Sequence, residues 1–131
     1  MHILVAIDQS DESRNALENA LDIVSTFDGS VTAIHVSDSE DEDGKTYLSR
    51  AEARADTHDV SISTELRTGD PVTEIAEYAE SEEVDAIYVG HRGLASEGSE
   101  LHGEGRGPLG SVARGLVEQT RIPVTVYDRG L

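Results

Sequence analysis

The sequence predicts a doubly wound α/β fold: five strands in one parallel sheet, with helices on both faces. Three observations carry that prediction. Short runs of Val, Ile, Leu and Ala alternate along the chain with segments whose apolar residues recur at helical spacing. Helix-start signals stand after strand-like runs, Ser10-Asp11-Glu12 in one place and Thr68-Gly69-Asp70-Pro71 in another. A glycine-rich stretch follows the apolar run Ala86-Ile87-Tyr88-Val89 and ends at Gly110-Ser111, where another helical pattern opens.

Ile3-Leu4-Val5-Ala6-Ile7 is continuously apolar, as a strand covered on both faces requires, and it ends at Asp8. Ser10 is placed to cap a helix whose buried stripe is Ala16, Leu17, Ala20, Leu21, Val24 and Phe27, with Gly29 as its stop. Val31 to Val36 reads as the second strand, and Asp38 to Asp43 as an exposed acidic connection. Lys45 to Asp56 carries Tyr47, Leu48, Ala51 and Ala55 on one helical face. Val60, Ile62, Thr64 and Leu66 alternate with polar residues, which predicts a strand exposed on one face and near an edge. Asp70 as cap and Pro71 at the first helical position open a third helix with Val72, Ile75, Ala76 and Ala79 inward. A fourth strand spans Asp85 to Val89, a fourth helix Val112 to Gln119, and a fifth strand Ile122 to Tyr127, where Pro123 argues for an edge.

At 131 residues and 37 % apolar composition the chain is expected to form a single domain over 1–131. Cysteine is absent, which excludes disulfides, thiolate metal sites and cysteine nucleophiles. The five histidines show no zinc-ligand spacing, so no metal is expected. Asp8, Asp11 and Glu12 together resemble a magnesium cluster, but acids at a helix start are explained by the helix dipole. No apolar run approaches the roughly 18 residues of a membrane span, and the first residues enter a strand pattern directly. The expectation is a cytoplasmic protein that meets no membrane.

Charge is distributed very unevenly. Residues 1–85 hold 22 acidic and 5 basic side chains, whereas residues 86–131 hold 5 of each, so the net charge of −17 lies wholly outside the glycine-rich stretch. Arg92, Arg106 and Arg114 fall in or beside that stretch, as a polyanion site on an acidic protein requires. No Lys/Arg cluster is present, which argues against nucleic acid. A single lysine among so many acids resembles the surface of proteins from extreme halophiles, whose repulsion is screened at molar salt.

Glycines after a strand let a ligand approach the backbone, and the N–H groups that open the next helix point toward an anion. Gly90, Gly93, Gly110 and Ser111 fit that outline. In this order and spacing, Ile3-Leu-Val-Ala-Ile-Asp-Gln-Ser10, His35-Val36, Gly69-Asp-Pro71, Tyr88-Val-Gly-His-Arg-Gly93, Gly110-Ser-Val112 and Ile122-Pro-Val-Thr-Val126 resemble the universal stress protein family over essentially the whole chain. The resemblance implies the adenine nucleotide alpha hydrolase-like sheet, with strand order 3-2-1-4-5. It also implies ATP, with or without magnesium, as ligand of the family's ATP-binding branch. Carried over, Ala6, Ile7 and Asp8 line the pocket, with Asp8 near the ribose. Val36 and Val89 meet the base through their main chains, and Gly90, Gly93, Gly110, Ser111 and Val112 wrap ribose and phosphates. One departure stands out: sixteen residues separate Gly93 from Gly110, more than the family's ATP-binding signature allows. The family's spacing reaches Gly103 instead, but Glu104 follows it, and only Gly110-Ser111 opens a helix.

The function expected is a stress-response protein that binds ATP or a related adenine nucleotide as a regulatory ligand, and it forms a homodimer through Ile122 to Tyr127. Catalysis is not indicated, because the only lysine, Lys45, lies far from the glycines and no P-loop is present. Two alternatives remain open at this level. A slow nucleotide hydrolase would release phosphate over many turnovers, and a dimeric partner-interaction module would bind no nucleotide.

Overall fold

The computed structural model describes residues 1–37, 43–91 and 111–128. Five strands, β1 (His2–Ala6), β2 (Ser30–Ser37), β3 (Ile62–Thr68), β4 (Ala86–Gly90) and β5 (Val124–Tyr127), form one sheet. Among the described residues, four helices lie between them: α1 (Asp11–Phe27), α2 (Asp43–Thr57), α3 (Pro71–Ser81) and α4 (Ser111–Gln119). Every pairing is parallel, and the order is β3-β2-β1-β4-β5, as expected.

The chain winds outward from β1 to β2 and β3, then crosses back to β4 and β5. Right-handed crossovers therefore place α1 and α2 on one face and α3 and α4 on the other. Two cores result. Ile3, Val5 and Ile7 pack with Leu17, Leu21 and Leu48 beneath α1 and α2. Leu4 and Ala6 point the other way, to Ile75, Ile87 and Leu116 beneath α3 and α4. This two-sided burial is why β1 is apolar from Ile3 to Ala6.

Local chemistry sets the helix starts. The Ser10 hydroxyl accepts the Ser13 N–H at 3.1 Å, and the Asp70 carboxylate accepts that of Thr73 at 3.0 Å, with Pro71 directly after it. The Thr73 main-chain N–H, helped by its hydroxyl, holds the Asp70 carboxyl below its ordinary range. Where α1 ends, Asp28 has a positive φ of 70° and its N–H bonds to the Val24 carbonyl; Gly29, expected as the stop, follows it directly. Gly29 is required for space: a Cβ there would stand 2.5 Å from the Met1 carbonyl oxygen.

Two strands differ from expectation in detail. In β3 the alternation of Ile62, Thr64 and Leu66 does not bury all three, since Thr64 is exposed and Leu66 is 40 % exposed. An edge strand has a neighbour on one side only, so its outer positions outrun the helix above. The opposite face of β3 is covered by charge, with Arg67 over the Tyr78 ring and bonded to Glu65 at 2.9 Å. Pro123 stands just before β5, where its carbonyl accepts the Ile87 N–H at 2.9 Å.

Candidate functional site at the carboxyl edge of the sheet

All five parallel strands end at one edge, and the returning helices begin there. The winding reverses between β1 and β4, so the crevice expected of such sheets lies above these two strands. Ala6, Ile7 and Asp8 leave β1 at that edge, Val36 lies near the end of β2, and Val89 and Gly90 end β4. Ser111 and Val112 open α4, the helix that follows β4. Eight of the ten residues singled out from the sequence thus lie at this edge or at the helix start facing it. Gly93 and Gly110 fall outside the described residues, as do Arg92, His102 and Arg106.

The described residues do not present themselves in the same way. Ala6, Val36, Val89 and Val112 are buried in the core beneath α3 and α4, so their side chains are committed to packing and only main-chain atoms remain for a ligand. Ile7 faces the other core. Both of its main-chain groups are already engaged: its N–H donates to the Ile34 carbonyl at 2.8 Å, and its carbonyl accepts from His35 Nδ1 at 2.6 Å. The buried His35 ring also meets Tyr47 edge to face, 5.1 Å between centroids.

Asp8 is locked into the turn that starts α1. Its N–H donates to Ser13 Oγ at 3.2 Å, and its Oδ1 accepts the Ser10 N–H at 2.8 Å. Gly90 makes close contact with the same turn. A Cβ on it would lie 2.7 Å from Glu12 Cβ and 2.9 Å from Ser13 N, so α1 itself requires a glycine here.

The two helix starts differ in charge. Asp11 and Glu12 occupy the first turn of α1, which the Ser10 cap already satisfies in part. The first turn of α4 holds no acid, and Ser111 is exposed there. An uncompensated helix start on so acidic a chain is where an anion gains most from unpaired N–H groups and the helix dipole. Among the described residues, no group of three or more His, Asp or Glu side chains is arranged to hold a metal ion. No helix among them is long and apolar enough to cross a membrane.

One feature had no sequence signal. On the α1–α2 face, beside Asp8 and Gln9, lies a cavity of about 260 Å³ bordered by Arg14, Tyr47, Arg50 and Arg54. These residues come from two helices that only the tertiary fold brings side by side.

A doubly wound sheet with a ligand edge where its winding reverses is shared by many nucleotide-binding proteins. This chain matches the universal stress protein family over residues 1–128 and belongs to that family. A universal stress protein of Methanocaldococcus jannaschii is 31 % identical over 145 aligned residues, covering 97 % of this chain and 81 % of the relative. Solved structures agree on the fold. The universal stress protein from Archaeoglobus fulgidus in complex with dAMP matches with a TM-score of 0.77 at 24 % identity, covering 97 % of each chain. An Arabidopsis thaliana family member with AMP bound matches with a TM-score of 0.77 at 20 % identity, covering 99 % of this chain and 92 % of that one.

Proposed function

We propose that this protein binds an adenine nucleotide, ATP in the first place, at the carboxyl edge of its sheet, as a regulatory ligand and not as a substrate. The observation that carries the reading is the acid-free, exposed start of α4 at the edge where β1, β2 and β4 end. The phosphates sit on the N–H groups of Ser111 and Val112, with Gly93 and Gly110 leaving room for them. The base lies against the main chain of Val36 and Val89, and the ribose is near Asp8. The binding of AMP and dAMP by family members of the same fold supports the class of ligand. The ligand supplies a polyanion, and the protein supplies oriented donors. Lys45 lies in α2, away from α4, which supports binding without phosphoryl transfer. The same reading makes the chain one cytoplasmic domain that pairs with a second copy through β5.

Calorimetric titration with ATP in molar salt tests the site. Gly110→Val is expected to abolish binding while the variant stays folded, because a branched side chain fills the phosphate space. Ser111→Ala is expected to weaken binding by about 1 kcal/mol, one lost hydrogen bond. Wild-type affinity in folded Gly110→Val, or no binding of any adenine nucleotide by the native chain, would overturn the proposal.

A further inference from the structure

The cavity between α1 and α2 lies across the sheet from α4; it shares Ile7 and Asp8 at its strand end with the nucleotide reading, which uses none of its helix residues. Its walls are apolar toward the sheet, where Ile7 and Leu17 belong to the core, and cationic toward solvent, where Arg14, Arg50 and Arg54 stand. Only five basic side chains occur in residues 1–85, against 22 acids, and three of the five border this one cavity.

Holding the two helices together accounts for one of the three. Arg54 on α2 pairs with Glu18 on α1, which raises the Arg54 pKa. Arg14 pairs with Asp11 of its own helix, and both are well exposed, so the pair does no work between helices and adds little stability. Arg50 has no ion pair among the described residues. At the mouth of a partly apolar cavity stand Arg50, and Arg14 held only by an exposed partner. Tyr47, whose hydroxyl donates to Gln9 Oε1 at 3.2 Å, supplies an aromatic wall, and Asp8 lies at the strand end of the cavity.

We infer that this cavity is a second ligand site, for a phosphate monoester with a compact ring or polyol body. Guanidinium forks match phosphate oxygens two at a time, and a dianion engages Arg50 and Arg14 together where a carboxylate engages one. The volume of about 260 Å³ suits a single ring with one phosphate better than a whole nucleoside triphosphate. Its arginines are no part of the proposed nucleotide site, with which it shares Ile7 and Asp8.

Phenyl phosphate is the probe, titrated into the whole chain by calorimetry, with inorganic phosphate and benzoate as controls. One-to-one binding is expected, at least tenfold weaker in Arg50→Gln and again in Arg14→Gln, two exposed positions whose replacement leaves the core intact. Gly110→Val is expected to bind the probe as the native chain does, and ATP is expected not to displace it. Equal affinity in the native chain and both arginine variants would overturn the inference. So would displacement by ATP, or binding of benzoate or inorganic phosphate as tight as that of phenyl phosphate.

Discussion

Gly90 has a reason to be glycine that is independent of any ligand. From the sequence it reads as space for a ligand, yet the atoms a Cβ would strike belong to Glu12 and Ser13 of the same chain. Backbone cannot swing aside as a side-chain tip can, so Gly90→Ala is expected to destabilise the fold by about 1–3 kcal/mol. Urea unfolding checks this, and unchanged stability in the variant would show that α1 does not press on β4. Glu12 makes a related point. It reads as an exposed acid at a helix start, and the structure buries it to 8 % exposure against β4. Sequence pattern reports which residues open a helix, but not which of them another strand will cover. Arg50 was illegible for the same reason: its importance lies in the Arg14 and Tyr47 it is brought beside, and no local spacing encodes that meeting.

Elements were far more legible than residues. The caps at Ser10 and Asp70, the apolar run of β1 and the helical stripes of α1 and α3 all follow from local chemistry, so strand and helix order could be read directly; only Phe27, expected in the buried stripe of α1, is 74 % exposed, because it is the last residue of the helix and runs past the sheet. Exact strand ends could not, because pairing decides them: β3 runs on to Thr68 where it meets Ser37. β5 ends the sheet and has only β4 beside it. Pro123 and Tyr127 accept the N–H groups of Ile87 and His91 through their carbonyls, so by alternation the main-chain groups of Val124 and Val126 face away from β4. Those two side chains pack against the α3–α4 core, so acidic replacements there would injure the fold as well as any interface. Val126→Pro is the cleaner test, since it removes one outward donor and leaves the β4 ladder alone. If β5 joins two copies, light scattering in molar salt will give a dimer for the native chain and a monomer for the variant. A dimer that survives the proline, or a native monomer at micromolar concentration, would exclude this edge.

At the scale of the molecule, a net charge of −17 acts on the whole compact state. Self-repulsion is greatest in dilute buffer and largely screened at about 1 M salt, where the screening length falls to roughly 3 Å. The urea midpoint is therefore expected to rise steeply with sodium chloride from about 0.1 to 2 M. A flat response would remove the halophile reading of the surface. The position of β1 between two cores and two partner strands has a further consequence, in time. Ile3, Leu4 and Val5 are fully buried and their strand is paired on both sides, so their amides can open only when both layers of helices let go. β3 and β5 each hold one partner and can peel away singly. Deuterium followed strand by strand should enter β3 and β5 first and β1 last; if β1 exchanges together with the edge strands, the molecule opens only as a whole.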